Sequence, residues 1–401
     1  MLPNFIKMTF WILTLEWMLA ACTTNLPQST PTATDSPSPA SVMGTPTLLP
    51  PESPPHGAER EFTTDFSKHN VSFDEILSGG PPKDGIPSID APNFVSVGDA
   101  DEWLKDREPV VFVEVDGDAR ACPIQILMWH EIVNDTLGGK PLLVSFCPLC
   151  NTAIAFERTV NGQVFDFGTT GRLRFSNLIM YDRQTETWWQ QATGDAIVGK
   201  LTGAQLAFYP ASIISWADFK SHYPGGSVLS QKTGFVRDYG RNPYTGYDDI
   251  NKTPFLYQGS PTPGELPPMA RVLTLDLNSE AVAYPYDILK EKNVTNDVVG
   301  KDPVVIFWAE GTASALDSSS VAGGRDVGAA AAYSRLVDGD VLEFTYEDNA
   351  IHDEQTGTTW NIFGQAIDGE LKGRQLVPLV SINHFWFSWA AFQPETRIYQ
   401  P

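Results

Sequence analysis

The feature that most constrains the fold is an internal duplication. Residues 113–154 align without gaps with residues 275–316. The shared positions include the pairs Pro123 and Pro285, Asn134 and Asn296, Asp135 and Asp297, Gly138 and Gly300, and Pro141 and Pro303. A repeat of this length indicates two copies of one structural unit, because related sequences encode the same elements twice. The chain of 401 residues is long enough to hold both copies.

Each copy is predicted to begin with a strand, over residues 110–115 and 272–277. A short helix follows, with a proline near its first turn, where a missing N–H group has no cost. Glycine-rich turns then separate several β-type segments. Further similar positions are Asn161-Gly162 and Asp338-Gly339, Asp182–Thr185 and Asp353–Thr356, Trp189 and Trp360, and Ser215-Trp216 and Ser388-Trp389. The sequence therefore predicts a β-rich α+β fold made of two tandem copies of one unit.

The N-terminus has the pattern of an export signal. Residues 4–21 are mostly apolar and end in small residues before Cys22. The run Leu19-Ala20-Ala21-Cys22 is similar to the bacterial lipoprotein signal, in which the cysteine receives the lipid. An uncleaved membrane anchor is the alternative, because Glu16 departs from the apolar pattern. Either interpretation places the rest of the chain outside the cytoplasm, attached to a bacterial membrane.

Four segments are predicted along the chain. Residues 1–22 form the lipoprotein signal peptide, and residues 23–60, rich in Thr, Pro and Ser, form a disordered linker. Residues 61–262 hold the first copy and a joining loop, and residues 263–401 hold the second copy. The net charge of −22 repels phosphate backbones, so no nucleic-acid partner is expected.

A cysteine pair distinguishes the first copy. Cys147 and Cys150 follow an apolar, strand-like run, and the whole chain has only four cysteines. Two cysteines separated by two residues can form a disulfide or hold one metal ion. The second copy has Ala309 and Thr312 at these positions. The thiol chemistry is therefore predicted for the first copy alone, with the second copy as scaffold.

Other reactive residue types are also confined to the first copy. Three further pairs differ in this way, namely His130 and Lys292, Glu131 and Asn293, and Asn151 and Ala313. The first copy has about six extra residues between Phe167 and Asp182. The residues predicted to support the site are Glu131, Asn151, Thr152, Arg172, Asn177, Asp182, Arg237 and Tyr239. The last two belong to the joining loop, which either covers the site or serves the structure alone.

Two residues have open assignments. His130 and Glu131 begin a His-Glu-x-x-His pattern, but Asn134 stands where the second histidine is needed, so a metalloprotease is excluded. His130 is either a structural residue, a proton carrier for a thiolate, or a metal ligand. Cys122 lies opposite Tyr284, which favours an inert buried thiol, and a three-thiol site is the alternative.

At these residues the chain resembles the bacterial DUF3179 family, over most of residues 90–395. The resemblance is carried by Trp129–Asp135, Cys147–Cys150, Met180–Arg183, Arg237–Tyr244 and Phe385–Phe392. Selenoproteins among the family members imply that one cysteine of the pair can be replaced by selenocysteine. Such a replacement fits redox catalysis, since a selenol is ionised at neutral pH. An aromatic residue is common in the family where Cys122 stands.

Three functions follow from these patterns. The leading hypothesis is a membrane-tethered, extracytoplasmic thiol oxidoreductase of unassigned substrate, in which Cys147 attacks, Cys150 resolves the mixed disulfide and His130 assists proton transfer. The second is a copper- or zinc-binding protein that uses Cys147, Cys150 and His130. The third is a non-catalytic lipoprotein, although the short Cys147–Cys150 loop would stabilise the fold little as a disulfide.

Overall fold

The computed structural model describes residues 47–401 apart from residues 261, 263 and 265. The predicted signal peptide, Cys22 and the first part of the linker lie outside the described residues. In the part of the chain that is described, no helix has both the length and the apolar character needed to cross a bilayer.

The helices in the described residues are short. The α-helices are α1 (Ala58–Glu61), α2 (Val97–Asp101), α3 (Ile124–His130), α4 (Trp216–His222), α5 (Tyr286–Lys292) and α6 (Trp386–Ala390), with 3-10 turns at Phe73–Glu75 and Val321–Gly323. Strands make up much more of the chain, so the fold is a β-rich α+β fold, as the sequence predicts.

Strands occur throughout both halves of the chain, which we call the first half (residues 61–262) and the second half (residues 263–401). Those of the first half are β1 (Ile76–Ser78), β2 (Phe94–Ser96), β3 (Pro109–Val115), β4 (Asp118–Pro123), β5 (Ile132–Leu137), β6 (Lys140–Cys147), β7 (Thr152–Glu157), β8 (Thr159–Val160), β9 (Gln163–Val164), β10 (Phe167–Arg174), β11 (Asn177–Asp182), β12 (Trp188–Gln190), β13 (Ala196–Val198), β14 (Ala207–Tyr209), β15 (Ser212–Ser215) and β16 (Ser227–Leu229). Those of the second half are β17 (Arg271–Leu277), β18 (Glu280–Pro285), β19 (Val294–Val299), β20 (Asp302–Ala309), β21 (Ala329–Ser334), β22 (Leu336–Val337), β23 (Asp340–Val341), β24 (Phe344–Glu347), β25 (Ala350–Asp353), β26 (Thr359–Trp360), β27 (Ala366–Asp368), β28 (Ser381–Phe385) and β29 (Arg397–Ile398).

The sheets of the two halves have similar strand orders. In the first half the orders are β15-β3-β4-β16-β2, β14-β7-β6-β5 and β1-β10-β11-β12-β13, with the hairpin β8-β9. In the second half they are β28-β17-β18-β29, β19-β20-β21 and β24-β25-β26-β27, with the hairpin β22-β23. Each half therefore places a pair of long antiparallel strands, β6-β7 or β20-β21, beside the short helix α3 or α5.

The helices α3 and α5 form where the sequence predicts them. Pro123 and Pro285 are their N-caps, with extended backbones that aim the chain into the first helical turn. Both helices end at a residue in the left-handed conformation, Glu131 with φ 57° and Asn293 with φ 60°. A left-handed residue ends a helix and redirects the chain, here into the next strand.

The hairpin turns also agree with the sequence prediction. Asn161 and Gly162, between β8 and β9, both have positive φ, and so do Asp338 and Gly339 between β22 and β23. A two-residue turn of this kind matches the twist of the strands it joins, which is why Asn-Gly and Asp-Gly suit it.

One alignment of the sequence analysis is shifted by three residues. Trp216 and Trp386 are each the first residue of a helix that follows the edge strand β15 or β28. Their N–H groups donate equivalent hydrogen bonds, to Glu108 O and Ala270 O, each at 2.8 Å. Ser388 is therefore not the counterpart of Ser215, and the alignment of these two serines from the sequence is wrong.

The folded region begins earlier than the sequence predicts. Ala58, within the segment assigned to the linker, is completely buried. Leu49 N donates to His69 O at 2.9 Å, and the Glu52 carboxylate accepts from Phe73 N at 3.0 Å. Composition alone marks this segment as unfolded, but these contacts fix residues from 47 onward on the surface of the first half.

Candidate functional site

The cysteine pair lies in the turn between β6 and β7. Cys147 is the last residue of β6 and pairs with Thr152, the first residue of β7. The turn is closed by Cys150 N, which donates to Cys147 O at 3.2 Å, and by the left-handed Asn151 with φ 50°. Both thiols are free and almost fully buried, with exposed fractions of 2% for Cys147 and 0% for Cys150.

The hairpin β10-β11 reaches the two sulfurs. The Ser176 carbonyl oxygen lies 3.4 Å from Cys150 Sγ and 3.9 Å from Cys147 Sγ. Asn177 Nδ2 donates to Cys150 Sγ at 3.5 Å. These strands have eight and six residues, whereas β24 and β25 of the second half have four each. The extra residues seen in the sequence are therefore the part of the hairpin that contacts the thiols.

A buried amide network holds Asn177 in place. Gln190 Nε2 and Ala192 N donate to Asn177 Oδ1 at 2.6 and 2.9 Å. Asn177 Nδ2 also donates to Gln191 Oε1 at 2.8 Å, and Gln191 Nε2 donates to Thr152 O at 3.2 Å. Since the Asn177 oxygen accepts two donors, its amide nitrogen must face the sulfur, where it favours a negative charge.

The second half contributes three residues to the site. Phe385 N donates to Cys150 O at 2.8 Å, which fixes β28 and α6 against the cysteine turn. Ser388, completely buried, faces Cys150, and His384 Nδ1 lies 2.9 Å from Thr152 Oγ1. Because the Thr152 hydroxyl donates to Cys150 O at 3.1 Å, His384 Nδ1 donates to Thr152. The second half is therefore part of the site as well as a scaffold.

The two thiols differ in acidity. Burial and the neighbouring Cys150 raise the pKa of Cys147 well above its usual value. Burial also opposes ionisation of Cys150, but the polar neighbours Cys147, Ser388 and Asn177 hold the pKa of Cys150 below its usual value. Of these, Asn177 forms a hydrogen bond of regular geometry with the sulfur. The geometry favours the negative charge on Cys150, because Asn177 Nδ2 donates to the sulfur of Cys150. The leading hypothesis from the sequence gave the attacking thiolate to Cys147.

Glu131 brings a carboxyl group to the same place. It is 8% exposed, and burial and the nearby Cys147 raise its pKa well above the usual range. Among the described residues, no group forms a hydrogen bond of regular geometry with this carboxyl. Glu131 also lines a cavity of about 110 Å³ together with Leu149, Tyr244 and Phe255. A buried, neutral carboxyl beside a thiol can exchange a proton with it.

The backbone of Glu131 is unfavourable for glutamate. The left-handed conformation suits glycine and asparagine, and the second half has Asn293 there. Both residues accept the same hydrogen bond, from Phe146 N at 2.8 Å and from Trp308 N at 2.7 Å. Glu131 thus combines a strained backbone with a carboxyl group that has no hydrogen-bond partner among the described residues. This combination points to a role in the chemistry of the site.

The contacts of His130 fit the structural role, which is one of the three roles that the sequence leaves open. Its Nδ1 lies 2.7 Å from Pro87 O, so this nitrogen carries the proton, and its Nε2 accepts from the Tyr239 hydroxyl at 2.7 Å. Burial lowers the pKa of His130, which keeps the ring neutral. Both ring nitrogens of His130 are therefore engaged away from the thiols. The helix ends at Glu131, and the left-handed backbone at this residue directs the Glu131 side chain toward the thiols instead.

The joining loop is fixed through His130. The Tyr239 hydroxyl, which donates to His130, accepts from Thr233 Oγ1 at 2.6 Å. Arg237 donates to Val236 O at 3.1 Å and lies over the Phe235 ring. Arg237 and Tyr239 therefore hold the loop and do not contact the sulfurs, while Tyr244 and Phe255 of the same region line the cavity beside Glu131.

Two other predicted residues serve the structure. Arg172 forms an ion pair with Glu61 at 3.0 Å and so fastens the N-terminal segment to β10. Asp182 accepts hydrogen bonds from Thr185 N at 2.6 Å and Trp189 Nε1 at 3.0 Å, which fix the turn after β11. Within the described residues neither side chain forms a hydrogen bond with a thiol, but Arg172 also lines the cavity beside Glu131.

Cys122 lies apart from the pair. It is buried in β4, and burial, with nearby Asp135, raises its pKa above the usual range. Within the described ranges, no three His, Cys, Asp or Glu side chains converge as a ligand set for a metal ion. The predicted copper or zinc site would need a third ligand beside the thiols, and His130 in this arrangement does not supply it.

The residues that the sequence missed are Ser176, His384, Ser388 and Gln191. Ser388 belongs to the run Phe385–Phe392 that carried the family resemblance, and correct alignment on Trp386 would have shown that it is specific to one half. Ser176 follows Phe175 in the extra length of the hairpin, where two residues with φ of 51° and 66° replace the residues usual in such a turn. His384 carries no signal of its own.

The fold and site define a class: β-rich α+β proteins with a buried cysteine pair between two similar halves. A family model described as "protein of unknown function (DUF3179)" matches residues 83–396. The chain therefore belongs to the DUF3179 family, as the resemblance implied. Neither a comparison with curated proteins nor one with solved structures found a match.

Proposed function

We propose that this protein is a thiol oxidoreductase in which Cys150 attacks, Cys147 resolves and Glu131 carries the proton. The observation on which the proposal rests is the Glu131 carboxyl, buried without a hydrogen-bond partner in the described residues and next to Cys147. The hydrogen bond from Asn177 and the nearby Ser388 hydroxyl supply the second part of the machinery, since both favour the thiolate of Cys150.

The reaction oxidises the dithiol and reduces a low-molecular-weight disulfide, R–S–S–R. The Cys150 thiolate attacks one sulfur, the S–S bond breaks, and the leaving R–S⁻ takes the proton of Glu131. The Glu131 carboxylate then removes the proton of Cys147. The Cys147 thiolate attacks Cys150 in the mixed disulfide and releases the second R–S⁻. Two electrons pass to the substrate, and Glu131 ends protonated as it began.

The substrate is proposed to be small because the thiols are buried. The adjacent cavity of about 110 Å³ is below the size range of ordinary ligand pockets, so it would admit one arm of a small disulfide. Phe255 in its wall is half exposed, and movement of this side chain would widen the entrance.

The location and origin of the protein are proposals too. The signal-like segment ending at Cys22 supports a lipid-anchored protein outside the cytoplasm. The matching order of strands and helices supports an origin of the two halves from one duplicated unit. In this account the second half kept the frame and lost the thiols.

A redox titration of the protein tests the proposed reaction. The protein is equilibrated in thiol–disulfide buffers and the Cys147–Cys150 disulfide is quantified by mass spectrometry after acid quenching. The expected midpoint lies above about −300 mV, the range of exchangeable disulfides. A midpoint below that value would make the bond structural, and failure to form the disulfide at any potential would reject the oxidoreductase. Cys147→Ser supplies the control that cannot form the bond.

A further inference from the structure

The two halves enclose a second cavity that the redox reaction does not use. It has a volume of about 390 Å³, within the usual range for small-molecule sites. The first half contributes Asp195 and Phe208, and the second half contributes Asp276, Trp389 and Phe392. Apolar and aromatic walls with a few polar groups are typical of a ligand site.

We propose that this cavity binds a small organic cation, an amine or quaternary ammonium compound with an apolar group. The cavity is lined by two carboxylates and three aromatic rings, and among the described residues no Lys or Arg lines it. An organic cation matches both features, because carboxylates attract its charge and aromatic faces bind it through cation–π contacts.

The carboxylates lack a cationic partner. Neither Asp195 nor Asp276 forms an ion pair within the described residues. Asp276 accepts one hydrogen bond, from Gln393 Nε2 at 3.2 Å. Burial raises the pKa of Asp195, and the nearby Arg174 is already bound to Glu75 at 2.6 Å. A bound cation would therefore supply the charge that the site itself does not provide.

The larger cleft of the protein shows the opposite arrangement. This cleft, of about 790 Å³, includes the buried Asp248 in its wall. Arg271 and Arg325 are bound to Asp248 at 2.7 and 2.8 Å, so its charge is already neutralised. The buried carboxylate of the larger cleft is therefore paired with two arginines, whereas neither carboxylate of the smaller cavity forms an ion pair within the described residues.

The aromatic walls are held in position. Trp389 Nε1 donates to Thr396 Oγ1 at 2.7 Å, which fixes the edge of the indole. The Phe392 ring already has the Arg174 guanidinium 5.5 Å from its centre, which shows that a cation is accommodated beside this ring. Fixed rings lose little conformational freedom when a ligand binds, so the cavity is preorganised.

Binding of benzyltrimethylammonium, followed by calorimetry and by tryptophan fluorescence, tests this inference. We expect saturable binding of this probe, with benzyl alcohol and phenylacetate binding at least about tenfold more weakly, or about 1.4 kcal/mol. The variants Asp195→Asn and Asp276→Asn should each weaken binding of the cation about tenfold. Asp340→Asn, an exposed residue of β23, is the matched control and should change nothing.

Two outcomes would overturn the inference. One is the absence of saturable binding of benzyltrimethylammonium to the wild-type protein. The other is binding that neither asparagine variant alters while both retain the wild-type circular dichroism spectrum and melting temperature. Because the probe has no thiol or disulfide, the result is independent of the proposed redox function.

Discussion

The two halves share a frame but differ in the residues placed at its left-handed turns. In the second half these positions are held by Asn293, Asp348 and Asn349, types that tolerate positive φ. In the first half the same turns hold Glu131, Phe175 and Ser176. Residues held in this conformation cost on the order of 1–3 kcal/mol each. The strained turns of the first half are those that reach the cysteine pair, which suggests that strain is maintained there for the chemistry.

Features common to both halves indicate the architecture. Asp353 accepts from Thr356 N at 2.7 Å and from Trp360 Nε1 at 2.9 Å, as Asp182 does from its own neighbours. The half without thiols keeps this turn unchanged. A comparison within one chain therefore separates residues that shape the frame from residues that serve the thiols.

Removal of the attacking thiol should have the largest effect. Cys150→Ala should abolish formation of the disulfide and lower the rate of thiol oxidation by about 10³-fold or more, since no second thiolate is available. Cys122→Ala is the control, because Cys122 is buried in β4 away from the pair. A Cys150→Ala protein that still reduces a small disulfide at the wild-type rate would contradict the assignment.

Exchange of the helix-capping residues should have opposite effects in the two halves. Glu131→Asn should lower the oxidation rate by about 10²- to 10⁴-fold through loss of the proton carrier. It should also stabilise the protein by about 1 kcal/mol, since asparagine suits the left-handed backbone. Asn293→Glu is the matched variant and should only destabilise. Kinetics with oxidised glutathione and thermal unfolding check both results.

The Glu131→Asn variant should also change the pH dependence of stability. The folded protein raises the pKa of Glu131, so the folded state holds the proton more strongly than the unfolded state. The contribution of Glu131 to the free energy of unfolding is then fully present below about pH 4.3 and is lost as the pH rises through the folded-state pKa. Urea unfolding across this range should show a smaller fall for Glu131→Asn than for wild type. Equal slopes for the variant and the wild type would mean that folding does not raise the pKa of Glu131.

Loss of the amide donor to Cys150 should have a moderate effect. Asn177→Ala introduces the residue found at the start of β25, Ala350, and removes a hydrogen bond that favours the thiolate. The pKa of Cys150 should rise by about one unit, equivalent to about 1.4 kcal/mol. The far-ultraviolet absorbance of the thiolate, followed as a function of pH, measures this pKa, and no reagent has to enter the site. Asn361→Ala, in the second half, should leave the titration unchanged.

The smallest contrast is expected at the shared turns. Asp182→Asn and Asp353→Asn should each destabilise the protein by about 1–2 kcal/mol, because each weakens charge-assisted hydrogen bonds. Neither should alter the oxidation rate. A loss of activity confined to Asp182→Asn would return this residue to the site, where the sequence had placed it.

Local features of the fold could be predicted from the sequence. Proline before α3 and α5 and the Asn-Gly and Asp-Gly turns depend on neighbouring residues, and the structure has them as predicted. The cysteine pair and Asn177 were found because the second half lacks them. These predictions required only local patterns and an internal comparison.

The remaining features depend on contacts that a sequence does not display. His130 and Glu131 are adjacent, and only the left-handed cap decides which of them faces Cys147. His384 reaches Thr152 across more than half of the chain. Ser388 was concealed by an alignment shifted by three residues, which matched two tryptophans of different position. Tertiary packing therefore chose the partners of the thiols.

The most direct test of the central claim is the fate of the three buried cysteines in oxidised glutathione. The reduced protein is exposed at neutral pH, quenched with acid, unfolded, alkylated and mapped by mass spectrometry. The account predicts an internal Cys147–Cys150 disulfide that dithiothreitol reverses, with Cys122 recovered as a free thiol. Recovery of Cys147 and Cys150 as free thiols, or glutathione on them without a bond between them, would contradict it.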